Sequence, residues 1–190
     1  MDTDHADPGD LAAMRAAFDV DDGADPALGW EAVHAFEAEH GVVLPEPYRT
    51  FVAEIADGSC SGPPDYGLVG LAKLPGGWGG DRPERDLSRP FPLTSMWFWA
   101  EDPRTSEEID PIIGQVFDHG SIVLGTDGCG MYWHLIVTGP HRGHVWNTSG
   151  EGATPFGAEF GFTTAEPGFA GWVKHWAAGK PWFDVAEGGY

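Results

Sequence analysis

Residues Ser121–Asn147 read SIVLGTDGCGMYWHLIVTGPHRGHVWN, and the reading of this run decides the fold. Three short apolar stretches, Ser121–Leu124, Met131–Thr138 and His144–Asn147, are separated by Gly125–Gly130 and Gly139–Gly143. Links rich in Gly, Asp and Pro close hairpins, so the run predicts an antiparallel meander. Upstream, Pro92–Ala100 (PLTSMWFWA) reads as a strand that is apolar on both faces near its end. Leu68–Leu74 is expected to form a first strand and Phe160-Gly161-Phe162 a short last one.

Helical spacing brackets these strands. A short helix is expected over Asp10–Phe18, where Leu11, Met14 and Phe18 share a face. In the next helix Asp25 suits the N-cap, Pro26 the first position and Gly41 the residue past the end. Trp30, Val33 and Phe36 line its buried face, with Glu31, Glu37 and Glu39 turned to water. After Val42-Val43-Leu44-Pro45, Tyr48, Phe51, Val52 and Ile55 make an apolar stripe that Asp57-Gly58 ends. Phe169, Trp172, Val173 and Trp176 repeat the spacing in a closing helix, with Gly179 near its end.

Helices, then strands, then one helix is the order of an α+β fold. The expected architecture is a central, mostly antiparallel sheet with N-terminal helices and one C-terminal helix packed around it. Its core should include Trp30, Phe36, Tyr48, Phe51, Ile55, Trp133, Trp146, Phe169, Trp172 and Trp176. Pro75–Arg89 has no periodicity and reads mainly as loop, and the acidic Asp102–Asp110 as a helical turn or loop.

Composition restricts what such a fold can do. With 42% hydrophobic residues and 13% aromatics, the 190 residues are too apolar for a disordered chain and suffice for a substantial core. Thirty acids against ten Lys and Arg give a formal net charge of −20. That balance repels nucleic-acid phosphates and anionic membranes and attracts a basic protein. The N-terminus has no basic and apolar leader, and no stretch approaches about 18 apolar residues, so a cytoplasmic protein is expected. Cys60 and Cys129 are too few for a disulfide framework; reduced thiols are the simpler reading, with one bridge left open.

Catalytic constellations are not expected. Gly58-Ser59-Cys60-Ser61-Gly62 has the outline of a nucleophile elbow, but a helix precedes it and Pro63-Pro64 follows, whereas the elbow needs a strand before and a helix after. His141 and His144, with His134 and Cys129 nearby, would be spread by strand alternation rather than gathered tetrahedrally around zinc. Gly125–Gly130 joins two strands instead of opening a helix, which disfavours phosphate binding. No cofactor and no metal are expected.

Trp30, Phe36-Glu37, Gly41-x-x-Leu44-Pro45, Tyr48-Arg49-Thr50-Phe51 and Asp57-Gly58 together resemble the N-terminal signature of the SUKH superfamily, which includes fungal cell-wall-assembly regulators. Ile122–Gly130, Trp133–Gly139, Gly143-x-Val145-Trp146 and Phe169-x-x-Trp172 resemble its C-terminal half. The resemblance covers most of residues 28 to 178. It implies an α+β fold with a helix-flanked sheet and, for bacterial members, immunity proteins of polymorphic toxin systems, many of whose toxins are nucleases. It carries over no catalytic residue. The chain then divides into an acidic segment with a short helix, 1–24, and a single domain, 25–190, with an irregular insertion at about 75–112.

The resemblance implies a cognate protein toxin as partner, basic by charge complementarity, with no direct nucleic acid or membrane contact; a monomer is the expected state. Its contact surface should lie outside the fold-determining motifs, and Gly76–Asp110 fits. The expected partner-binding residues are Trp78, Asp81, Glu84, Asp86, Trp97, Trp99, Glu101, Asp102, Glu107 and Glu108. Aromatic anchors beside charge are what binding hot spots use. For Trp97 and Trp99, on one face of the presumed strand with Met96 and Phe98 on the other, burial in the core is the competing reading and is placed first.

Overall fold

A computed structural model describes residues 5–19, 23–78, 85–157 and 164–182. Strands β4 (Ser121–Gly128), β5 (Met131–Ile136), β6 (Val145–Thr148) and β7 (Gly152–Pro155) form the meander, and the two-residue β3 (Trp97–Phe98) completes its edge. The sheet order is β3-β7-β6-β5-β4, antiparallel throughout. The fold is the expected α+β one.

Strand alternation gives the sheet two apolar faces. Ile122, Leu124, Trp133, Leu135 and Val145 face one core; Val123, Tyr132, Ile136, Trp146 and Ala153 face the other. The first face is covered by α1 (Pro8–Asp19), α3 (Tyr48–Glu54) and α5 (Phe169–Ala177). There Phe18 meets Phe51 edge-on at 4.8 Å, Tyr48 meets Phe169 at 4.9 Å, and Trp133 lies 5.7 Å from Trp172. Lys174 Nζ ties α5 to α1 through Asp10 Oδ1 at 2.7 Å. The second face is covered by α4 (Ser106–Asp118) and by irregular chain carrying Trp78, Phe91, Leu93 and Trp99. Chain with no periodicity thus supplies part of the second face's cover.

Several local expectations are corrected. Helix α2 runs Trp30–His40: Ala24–Pro26 is instead β1, paired with β2 (Ala56–Ser59), and Gly29, at φ 84°, breaks the chain away from the helix. Its other end is as expected, with Gly41 left-handed at φ 65°. Asp57-Gly58 sits within β2 rather than ending a helix directly. Glu37 is buried, not turned to water. Leu68–Leu74 contributes only single bridges at Leu68, because the chain turns at Gly70–Lys73, where Lys73 N donates to the Gly70 carbonyl at 2.9 Å and Leu71 N to Asp57 Oδ1 at 2.7 Å.

Pro92–Ala100 shrinks to β3, which extends the sheet by two residues, followed by a 3-10 turn, Trp99–Glu101; its Leu93 and Trp99 cover the sheet. Asp102–Asp110 opens a full helix, α4, whose Thr105–Glu108 capping box was present in the sequence but masked by Pro111 inside the helix. Gly125–Gly130 is not all loop: β4 runs on to Gly128, and Cys129-Gly130, at φ 50° and 78°, make a two-residue hairpin turn. Gly125 fits in mid-strand because a Cβ there would strike Pro64 and the Gly67 carbonyl. Strand β7 forms in a stretch with no strand pattern, and Phe160-Gly161-Phe162 lies outside the described residues. Trp30, Phe36, Ile55 and Trp176 are partly buried at the margin of the core; the other six expected core residues are buried.

Candidate functional site

Helix α4 brings Ser106, Asp110, Ile113 and Phe117 onto one flank by i, i+3 and i+4 spacing. Facing them are Trp78, Trp99, Tyr132 of β5, the β4–β5 hairpin tip and the Ser149-Gly150 turn, and between the two sides lies a cleft of about 580 Å³. The rings are fixed. Tyr132 Oη donates to the Gly77 carbonyl at 3.0 Å, Trp99 Nε1 to the Gly150 carbonyl at 2.8 Å, and Trp78 meets Tyr132 edge-on at 4.8 Å.

Those of the expected partner-binding residues that are described divide into three groups. Trp78 and Trp99 are buried and wall the cleft; Arg85 stands 5.3 Å from the Trp78 ring while donating to the Phe117 carbonyl at 3.4 Å and to the Ser121 carbonyl. Burial, the competing reading, thus describes Trp99, whereas Trp97 is half-buried and Met96 and Phe98 are exposed. Four residues are engaged within the chain. Trp97 Nε1 donates to Asp102 Oδ2 at 2.7 Å, and Arg104 clamps both oxygens of Asp102 at 2.9 and 2.8 Å. The Arg104 hydrogen bonds hold the Asp102 carboxyl well below the usual carboxylate range. Glu108 caps α4, its Oε2 accepting from Thr105 N at 2.9 Å and Oγ1 at 3.0 Å, and those bonds lower its pKa. Asp86 Oδ1 accepts from Ser88 N, Ser88 Oγ and Arg89 N. Glu101 and Glu107 remain exposed, with no hydrogen bond or ion pair among the described residues. Asp81 and Glu84 lie outside the described residues.

Lining residues from outside Gly76–Asp110 were not singled out from sequence: Ile113 and Phe117 of α4, Tyr132, the hairpin tip bearing Cys129, and the Ser149-Gly150 turn. Alternation along β5 carried the signal for Tyr132, which shares a face with His134 and Ile136. Both cysteines are free and exposed.

The other constellations are structural in character. His134 Nδ1 lies 3.0 Å from Ser121 Oγ and its Nε2 3.0 Å from Thr148 Oγ1, linking β4, β5 and β6. All three residues are 0% exposed, so this Ser–His contact opens onto no cleft. His141 and His144 have ring centroids 5.3 Å apart, with His141 Nε2 2.9 Å from the Thr94 carbonyl. Among the described residues no group of three or more His, Cys, Asp or Glu could hold a metal ion, and no helix is long and apolar enough to cross a membrane.

Residues 30–160 match the model of the SMI1/KNR4 family (SUKH-1). Comparison with curated proteins and with solved structures gave no significant match. The matched region runs from the start of α2 past the end of β7, leaving α1 and α5 outside it. With that match over more than half of its length, the chain belongs to the SMI1/KNR4 family, SUKH-1.

Proposed function

We propose that this protein is a non-enzymatic binding protein, an immunity protein of a bacterial polymorphic toxin system that neutralises a basic toxin by direct contact. The observation that carries the reading is an acidic margin on an aromatic cleft. Glu107 and Asp110 stand exposed on α4, Glu101 and Glu151 stand exposed beside the Trp99 and Gly150 walls, and the whole chain carries a charge of −20. Such a surface speeds encounter with a cationic partner and repels nucleic acid and anionic lipid. Nuclease toxins, whose own surfaces must attract phosphate, fit that partner class. Family membership supports the same reading. It also supports a second one, a regulatory or scaffold protein in signalling or envelope assembly with no toxin partner. The two separate on co-expression with the protein encoded beside this one. Growth arrest caused by that neighbour alone should be relieved when this chain is made with it. Persistent arrest with both proteins present would overturn the immunity reading in favour of the scaffold.

A further inference from the structure

We infer that the cleft between α4 and the β4–β5 hairpin takes an arginine side chain presented by a protein partner. The origin of that arginine rests on the binding function proposed above; the chemistry of the cleft does not. At about 580 Å³ the cleft has the size of a ligand site, which typically spans roughly 300–1,000 Å³. Its aromatic walls have already committed their polar atoms, Tyr132 Oη to Gly77 and Trp99 Nε1 to Gly150. All three rings are largely buried, and what Trp78, Trp99 and Tyr132 still offer a ligand is the 6 to 8% of each that stays exposed; aromatic ring surface attracts a cation lying within about 6 Å of a ring centroid. Asp110 supplies a carboxylate on the opposite wall, with the Ser106 hydroxyl one helical turn away on the same flank. Among the described residues lining the cleft there is no lysine or arginine to neutralise that carboxylate.

The protein builds the complementary arrangement within itself. Arg104 stands 5.3 Å from the Trp97 ring while both oxygens of Asp102 accept from its guanidinium edge. Indole and carboxylate thus take one guanidinium together, by face and by edge. The cleft's lining holds the same two kinds of receptor, the rings of Trp99 and Tyr132 and the Asp110 carboxylate, and among the described residues no cation between them. Arg85 does not fill that role: it stands by Trp78, donates to the Phe117 and Ser121 carbonyls, and is not among the lining residues. Arginine is favoured over lysine because its planar, weakly hydrated head can stack and form two hydrogen bonds at once. Exposed Glu107 and Glu151, chain neighbours of the lining residues Ser106 and Gly150, add to the field that draws a cation in.

The test titrates N-acetyl-arginine methylamide, charged only at its guanidinium, into the full chain and follows tryptophan indole N–H resonances. A saturable one-site shift is expected, with N-acetyl-lysine methylamide weaker by roughly fivefold. Asp110→Asn, an exposed change that leaves the melt intact, should weaken arginine by roughly the same factor. Alkylating Cys129 in a Cys60→Ser chain should block the response, since Cys129 lines the cleft and is exposed. Absence of saturation, equal binding of lysine, or indifference to Asp110→Asn would overturn the assignment. A neighbour-encoded protein that binds Asp110→Asn as tightly as the parent would also overturn it while leaving the immunity reading in place. Arginine binding with no rescue of growth would support the cleft and remove the immunity reading.

Discussion

Glu37 and Arg49 close a two-pronged ion pair across the turn joining α2 to α3. Oε1 of Glu37 accepts from Arg49 Nε at 2.7 Å, Oε2 accepts from Nη2 at 2.9 Å, and Oε1 also takes the Leu44 N–H at 2.8 Å. Glu37 is only 7% exposed, and Arg49 lies 5.4 Å from the Trp30 ring. One carboxylate therefore fixes both the turn and the start of α3, in a stretch where helical periodicity alone would turn it to water.

Glu37→Gln should destabilise the protein by about 2 kcal/mol at neutral pH, the scale of a charge-assisted hydrogen bond lost from a largely buried site. Desolvation pushes the Glu37 pKa up, but the Arg49 and Leu44 hydrogen bonds and the guanidinium charge outweigh it, leaving the pKa below the ordinary 4.5. A lowered pKa contributes stability that is present above the unfolded value and lost as pH falls through the folded one. The gap between parent and variant in urea unfolding should therefore narrow between neutral pH and about pH 3. A gap of unchanged size in acid would contradict this role.

Trp172 is 0% exposed and packs among Trp133 and Phe169 on the sheet's first face. Trp172→Ala should cost about 3–5 kcal/mol and lower the melting temperature by many degrees. A variant melting like the parent would mean that α5 does not close this core.

The Thr105–Glu108 capping box starts the helix that carries Ser106 and Asp110. Thr105→Ala should lower stability by about 1 kcal/mol. Hydrogen exchange should quicken first in the amides of α4. Loss spread evenly over α1, α3 and α5 instead would show that the cap is not a local device.

What was legible in the sequence was whatever periodic burial writes there. Met14 and Phe18, the Tyr48–Ile55 stripe and the Phe169–Val173 face are helices packed on one side, and the strands of Ser121–Thr148 read as short continuous apolar runs because both sheet faces are covered. The short strands left no such trace. Ala24–Pro26 and Ala56–Ser59 are strands because each pairs the other from far along the chain, Gly152–Pro155 is held between neighbouring β6 and remote β3, and their Gly, Asp and Pro oppose strand propensity. Helix α4 was hidden by its acids and by Pro111, although its capping box was in plain view.

The candidate surface was legible as composition and not as geometry. The tryptophans and acids of Gly76–Asp110 could be picked out, but not that Arg104 engages Asp102 and Thr105 engages Glu108 while Glu101 and Glu107 stay exposed. Nor could Tyr132 be brought to the same cleft, since it arrives from β5 across the sheet.

Charge-steered encounter through that margin is measured most directly by the association rate between this chain and the protein encoded beside it, followed from low to high salt. Binding through the acidic margin predicts a complex whose association slows steeply as salt rises. Glu101→Lys with Glu107→Lys should slow association at low salt and leave the melt unchanged; Asp102 and Glu108 are kept out because they hold Arg104 and the cap of α4. No complex at all, or a complex whose association rate ignores both salt and the paired reversal, would contradict it.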